Sequence, residues 1–325
     1  MGITVAVTGP TGEIGISAVT TLERDPAVGR ILGMARRPFD PAAHGWTKTE
    51  YRRGDILDRA AVDALVADAE VVIHLAFVIM GSRQDSARVN LEGTRNVFEA
   101  TVAAERARRL VYTSSVAAYG YHLDNPSPLT EDVPPEGSTE HYYSQQKAAC
   151  ESALTEITAG SDLEVFVLRP CIVAGPKAPA LHDLPWAKLP GPLRALARAN
   201  PLFKPIVPDP GHPLQLVHHD DVATAIALAA TADAPPGAYN IAGDGTLSLS
   251  DVVTALGGRP VRVPAFAATA TSTALTYLPF VPATLEWLHI VRTPVVMDTN
   301  RAKQHLGWKP AYTSAETLAA LAAAR

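Results

Sequence analysis

Ile3-Thr4-Val5-Ala6-Val7-Thr8-Gly9-Pro10-Thr11-Gly12-Glu13-Ile14-Gly15 is the stretch on which the fold turns. A β-branched run passes directly into a turn whose glycines stand three apart, and a helical pattern begins around Ile14. In such a turn the absent side chains let backbone N–H groups and the positive end of a helix approach a pyrophosphate, and the third glycine lets helix and strand pack closely. A tight turn that merely needs positive φ also uses glycine. The position after a first strand and before a helix favours the dinucleotide, with Gly9, Thr11, Gly12, Glu13, Ile14 and Gly15 lining it.

Outward from this stretch, short apolar runs alternate with longer segments of helical period. Strands are predicted over residues 3–8, 31–35, 71–75, 110–113 and 165–168, and helices over 14–24, 60–67, 89–104 and 143–157. This is the sequence form of a parallel sheet with crossover helices. Val71-Val72-Ile73 has the continuous apolar character of a strand buried on both faces. The expected fold is therefore a doubly wound α/β domain. Prolines crowd residues 176–213, which also carry Trp186, Leu193, Leu196 and Phe203, so short helices and loops are expected there. A strand-to-helix unit returns over 214–229, a strand over 238–241 and a closing helix over 314–324. The dinucleotide-binding domain is expected over 1–175 with returning segments at about 214–242; a smaller, interleaved C-terminal substrate domain takes mainly 176–213 and 243–325.

Of the 325 residues, 47% are hydrophobic and 19% charged, the balance of a folded chain rather than a disordered one. Lys and Arg total 28 against 33 Asp and Glu, and basic runs stop at pairs such as Arg36-Arg37 and Arg52-Arg53, which argues against a nucleic-acid partner. Cys150 and Cys171 are too few for a disulfide framework and lack the spacing of a zinc site. With neither a signal-peptide pattern nor an apolar run long enough for a bilayer, a cytoplasmic protein without membrane contact is expected.

The ribose selector of a dinucleotide site is expected about twenty residues beyond the glycines. There the chain reads Gly33-Met34-Ala35-Arg36-Arg37, without the acid that grips two free ribose hydroxyls. Ala35 leaves room and Arg36 supplies positive charge, which favours a 2′-phosphate and hence NADP(H) over NAD(H). Two solvated arginines just past a strand are the competing reading. Asp55, in Gly54-Asp55-Ile56, is placed to meet the adenine amino group, or serves as an ordinary turn acid.

Tyr143 and Lys147 stand four apart on a predicted helix, hence on one face. Ser115 lies just past a strand, at the carboxyl edge where open sheets bind ligands. A phenol ionises at about pH 10 in water, so it is a poor acid–base catalyst near neutrality unless a cation steadies its phenolate. Lys147 is the expected cation, and Ser115 the group that holds a substrate oxygen beside the phenol. A Tyr–Lys pair alone is common helix decoration; the joint pattern points to catalysis.

With these residues in view, the chain resembles an extended short-chain dehydrogenase/reductase of the NAD(P)-dependent epimerase/dehydratase branch. The likeness is carried by Thr8 to Gly15, Gly54-Asp55, His74-Leu75-Ala76, Asn90 with Gly93-Thr94 and Asn96, Val111 to Ser115 with Tyr119-Gly120, and Tyr143 to Lys147 with Glu151. It continues through Leu168-Arg169-Pro170, Gly175-Pro176, Val217 to Val222, Tyr239-Asn240-Ile241, Asp298 and Leu306 to Pro310. The resemblance implies a Rossmann-type sheet, Ser115, Tyr143 and Lys147 as the catalytic group, and a homodimer. Ser115 is preferred to Ser114 because it stands four before Tyr119. The resemblance further implies cofactor contacts from Ile56, Leu75, Ala76, Asn90, Thr113, Pro170 and Cys171, and from Tyr143 and Lys147 themselves.

His218-His219-Asp220-Asp221 has the composition of a metal site. Neighbours on a strand point to opposite faces, so the four are not expected to converge; no metal is assigned, and Asp220 or Asp221 is expected to cap the next helix. Where nucleotide-sugar members of the family present an arginine, this chain has Pro213-Leu214-Gln215-Leu216, with Arg292 as a partial substitute, so a sugar diphosphate fits poorly. The apolar stretch 261–296, with Phe266, Leu275, Tyr277, Leu278, Phe280, Leu285, Trp287 and Leu288, suits a largely apolar small-molecule substrate, or simply a core. The expected activity is hydride transfer between NADP(H) and a ketone or secondary alcohol. A sugar-nucleotide epimerase or dehydratase is the alternative, although Val116 stands beside Ser115 where a dehydratase wants an acid; a non-catalytic cofactor sensor on the same fold is the other.

Overall fold

The computed structural model describes residues 2–79, 86–178, 204, 206–264 and 293–324. Its centre is a seven-stranded sheet of β1 (Ile3–Thr8), β2 (Val28–Ala35), β3 (Thr49–Arg53), β4 (Val71–His74), β5 (Arg109–Thr113), β6 (Glu164–Pro170) and β7 (Gly237–Ile241). Every pairing is parallel, in the order β7-β6-β5-β4-β1-β2-β3. This is the Rossmann-type arrangement, and the order reverses between β1 and β4, whose carboxyl ends mark the switch point where open sheets bind ligands.

Helices α1 (Glu13–Arg24), α2 (Arg59–Val66), α3 (Thr94–Ala103), α4 (Tyr142–Thr158) and α5 (His219–Thr231) cover the sheet. Val5 and Val7 share one core with Val19 and Leu22 of α1 and Val222 and Ile226 of α5. Ala6, pointing the other way, joins Val62 and Leu65 of α2, Phe98 of α3 and Leu154 of α4. Burial on both faces is why these strands read as continuous apolar runs.

Two departures from the expectations bear on the sheet and its helices. β3, ahead of Asp55, was given no range because Thr49-Glu50-Tyr51-Arg52-Arg53 is polar; it lies at the sheet edge, paired only with β2, where no apolar run is required. The helix expected over 89–104 is divided, with Arg88–Gly93 π-helical and only Thr94–Ala103 α-helical. A third buried cluster, including Ala174, Leu214, Leu216, Leu247, Val252 and Leu318, forms separately from the two cores of the sheet. Residues 179–203 and 265–292, which contain Trp186, Leu193, Leu196, Phe203, Arg292 and the apolar side chains from Phe266 to Leu288, lie outside the described residues. No helix among the described residues is long and apolar enough to cross a membrane.

Candidate active site

β1 delivers Gly9 to the carboxyl edge of the sheet at φ +74°, where a side-chain carbon would also meet the Ala76 nitrogen at 2.8 Å. At Gly15 the same carbon would fall 2.1 Å from the Gly9 carbonyl oxygen, so the approach of α1 to β1 demands glycine. Gly12 differs. A carbon there meets only the Gly9 oxygen, at 3.5 Å, and α1 starts at this point without a side-chain cap. Thr11 and Ile14 are half-buried around it, and Glu13 is exposed. A helix N-terminus left open beside a side-chain-free turn is the donor set a pyrophosphate needs. Further along the same edge the Thr113 hydroxyl is buried with no hydrogen-bond partner. Both features fit a dinucleotide.

Past β2, Arg36 is exposed and its carbonyl accepts a hydrogen bond from Arg53 Nε at 3.0 Å. The Tyr51 hydroxyl donates to the Ala35 carbonyl at 2.8 Å and to that of Arg37, and Phe39 packs on Tyr51 and Trp46. The loop is thus held by its backbone while the guanidinium of Arg36 projects to solvent. Tyr51 and Arg53 were missed because their strand was given no range; the Arg52-Arg53 pair was the available signal. Asp55 accepts the Leu57 N–H at 3.1 Å, as a turn acid does. Ile56 is buried, with its carbonyl bonded to Asn96 at 2.9 Å.

The loop after β4 is tied down more firmly. Leu75 N–H donates to the Thr8 carbonyl at 3.1 Å, and Ala76 N–H to the Thr8 hydroxyl at 3.4 Å. His74 lies between the hydroxyls of Thr8 and Thr94, at 2.6 and 3.0 Å, and burial, with the Lys147 charge, holds its pKa at about 3. Asn90 is fully buried: its oxygen accepts the Val78 N–H at 2.8 Å, and its amide nitrogen donates to the Val78 carbonyl and to Gln146 Oε1. Pro170 closes β6, and Cys171 N–H bonds to the Ile241 carbonyl at 2.9 Å; burial pushes the Cys171 thiol up.

Ser115 follows β5, and Tyr143 and Lys147 sit in the opening turns of α4. His141 caps that helix by accepting the Ser144 N–H, and the Ser144 hydroxyl donates to the Ala117 carbonyl at 2.6 Å, docking α4 on the turn that carries Ser115. Ser114 turns inward and donates to Glu151 at 2.5 Å; Glu151 in turn holds Arg169 through two hydrogen bonds, at 2.6 and 3.1 Å. Ser115 accepts the Ala117 N–H at 3.2 Å and also hydrogen-bonds Tyr143. Burial pushes that phenol up to about 12, against the opposing effect of its hydrogen bond with Ser115. Lys147, 3% exposed, donates to the Thr113 carbonyl at 2.9 Å, and burial draws its pKa down to about 8.

The Lys147 ammonium lies 6.0 Å from the centre of the Tyr143 ring and rests on the face of Phe77 at 3.7 Å. Tyr143, raised by burial, is a protonated acid at neutral pH, suited to giving a proton. Phe77 carried no sequence signal, because an aromatic side chain after a strand is ordinary core material.

The His218 cluster needs a correction. A strand, Leu216–His218, ends where α5 begins at His219, so strand alternation stops between the two histidines. Their ring centres lie 4.2 Å apart, and ligand atoms of His218, His219 and Asp220 all fall within 4.8 Å of one another. Three of the four side chains thus converge and Asp221 does not, because the strand alternation that was to keep them apart ends at this boundary. Their Nδ1 atoms are engaged, however: His218 accepts the Asp220 N–H at 3.3 Å, and His219 meets Ser17 at 3.0 Å and the Asp220 carboxylate at 2.9 Å. His218, not an aspartate, thus caps α5. Asp221 accepts the N–H groups of Ala311 and Tyr312 and ties α5 to the C-terminal segment.

The model of the NAD dependent epimerase/dehydratase family matches residues 5–242. The chain belongs to this family. A 3-diazoavenalumate denitrifying reductase from a Streptomyces species is 31% identical over 280 residues, covering 80% of this chain and 82% of that protein. Human 3 beta-hydroxysteroid dehydrogenase type 7 is 32% identical over 198 residues, 54% of this chain and 52% of that one. The structure of MoeE5 in complex with UDP-glucose and NAD is similar at a TM-score of 0.72 and 24% identity, over 99% of this chain and 98% of its own, which is a likeness of fold. The NAD dependent epimerase/dehydratase family accounts for the strand order, the glycine turn and the run from Ser115 to Lys147 together.

Proposed function

We propose that this chain is an NADP(H)-dependent oxidoreductase acting on a ketone or secondary alcohol of a largely apolar small molecule. The observation that carries the reading is a protonated, half-buried Tyr143 beside Ser115 and one helical turn from a buried Lys147, all at the carboxyl edge of the sheet. When bound, the dinucleotide supplies or takes up the hydride. The glycine turn, Leu75, Ala76, Thr113, Pro170 and Cys171 are the residues that would hold it. In the reductive direction the Ser115 hydroxyl holds the substrate oxygen and Tyr143 transfers its proton there, breaking its own O–H bond as the alcohol O–H forms. Lys147 lowers the cost of the phenolate left behind by Coulombic attraction across the low-dielectric site. Its charge is present below about pH 8, so the reductive rate is expected to fall as pH rises through that value. A rate that stays flat from neutrality to pH 9, about one unit past that value, would contradict the role of Lys147.

Two further features support net redox on an apolar compound. The two named relatives are, by name, a reductase and a dehydrogenase. Leu214, where a diphosphate-binding arginine is wanted nearby, is buried in the third apolar cluster. The test is incubation of NADPH with a panel of apolar ketones. Steady loss of nicotinamide absorbance supports the reading; isomerised substrate with no cofactor consumed contradicts it.

The preference for NADP(H) rests on Arg36, exposed past β2 where the ribose selector belongs. Arg36→Ala is expected to weaken NADPH binding about 10- to 100-fold, the worth of a charge-assisted hydrogen bond, and to leave NADH unchanged in a fluorescence titration. Equal loss for both dinucleotides would assign the arginine to the solvated surface.

A further inference from the structure

Lys147 is buried, yet no carboxylate accepts a hydrogen bond from its ammonium among the described residues. Its donors go to the Thr113 carbonyl at 2.9 Å and, at 3.5 Å, the Tyr112 hydroxyl. The charge also lies over three rings, Phe77 at 3.7 Å, Tyr112 at 5.1 Å and Tyr143 at 6.0 Å. Phe77 meets Tyr143 as well, edge to face, with ring centres 5.6 Å apart and planes at 88°. One aromatic ring therefore touches both members of the acid–base pair.

That ring does not sit there by chance packing. Asn90 clamps the peptide of the next residue, Val78, from both sides and is itself bonded to Gln146 of α4. The Tyr142 hydroxyl, also on α4, donates to the Ile79 carbonyl at 2.8 Å. The catalytic helix thus grips the loop that carries Phe77 at two points.

We propose that Phe77 is a positioning residue, its ring face carrying the Lys147 ammonium and its perpendicular contact with Tyr143 spacing that ammonium from the phenol. The proposal deepens the reading given under Proposed function and rests on it. The charged and titratable groups around Lys147 leave the ring a real share of the stabilisation. On α4 itself, Cys150 has its thiol pushed up by burial, and Glu151 is spent on Arg169 of β6. His74 of β4 is held neutral, and the Tyr112 phenol of β5 is raised well above its usual range. The Glu151 charge acts on Lys147 only through space, opposing the fall of its pKa without a hydrogen bond to the ammonium, and a desolvated cation over an aromatic face is favoured by the ring quadrupole.

The test titrates Lys147 directly. In dinucleotide-free protein carrying ¹³C at the lysine ε-carbons, Lys147 is one of seven lysines and is assigned by its absence from Lys147→Met. Phe77→Leu keeps apolar bulk and removes the ring face, so the Lys147 midpoint is expected to fall by about one pH unit; Phe77→Trp restores a ring face and the midpoint with it. The alkaline limb of the reductive pH profile moves by the same amount. A midpoint unchanged in Phe77→Leu overturns the proposal, as does a midpoint that Phe77→Trp fails to restore. If Phe77→Leu does not fold, the wild-type spectrum decides: ε-protons over a ring face resonate upfield of those of the other lysines, and ordinary positions overturn the proposal. Because this titration involves neither substrate nor turnover, Tyr143→Phe retaining activity would refute the catalytic reading and leave the Lys147 result standing.

Discussion

Tyr143→Phe is expected to lower turnover about 10²- to 10⁴-fold, the usual contribution of a positioned acid–base group. The substitution removes one oxygen and little else. The ring that meets Phe77 edge-on remains, and so does the His141 cap that starts α4. With the glycine turn and Arg36 proposed to hold the dinucleotide, its affinity is therefore expected to stay at its wild-type value in a fluorescence titration. What disappears is the proton: burial keeps the phenol protonated up to about pH 12, and among the described residues no other acidic side chain bonds to Ser115. Turnover within a factor of about two of wild type, well inside that range, would mean that water or another group delivers the proton.

Glu151→Ala is expected to cost about 3–5 kcal/mol of unfolding free energy, because it strands a buried guanidinium. The side chains of Arg169 and Glu151 are 5% and 7% exposed and share two hydrogen bonds. Arg169 also lies over the Tyr119 ring at 4.5 Å, and Ser114 gives its hydroxyl to the same carboxylate. Removing the acid leaves all of these without their centre. Urea unfolding measures the loss, and replacing both members by leucine is expected to recover most of it, since the desolvation penalty then vanishes for both charges together. A single-variant loss below about 1 kcal/mol would place the pair in the energetic class of surface ion pairs. The effect on catalysis is indirect: Ser114 neighbours Ser115, and Glu151 lies one turn beyond Lys147 on α4.

How much of this was legible beforehand depends on whether local pattern or three-dimensional contact sets each feature. Residues 3–15 declare strand, turn and helix because each glycine answers a local steric demand, seen at Gly9 and Gly15. β4 and β5 show themselves by burial on both faces, whereas Thr49–Arg53, an edge strand, has no such need and was given no range. The proposed catalytic trio was named from spacing. Its electrostatics were not, because the partner of Lys147 is a ring from a loop about seventy residues away in the chain, held by contacts with Asn90 and Tyr142. The His218 to Asp220 cluster misled for a related reason: strand alternation was applied across a boundary where the strand had already given way to a helix.

Net hydride transfer to an external carbonyl, with Tyr143 as proton donor, is tested most directly by following label. NADPH carrying deuterium at the transferable position of the nicotinamide is incubated with an apolar ketone that the wild-type protein consumes. One deuterium on the carbinol carbon of released alcohol for each NADP⁺ formed, and a rate lowered by orders of magnitude in Tyr143→Phe, is the predicted result. Product formed with no net NADP⁺ would contradict it, as would label transfer that proceeds undiminished without the phenol.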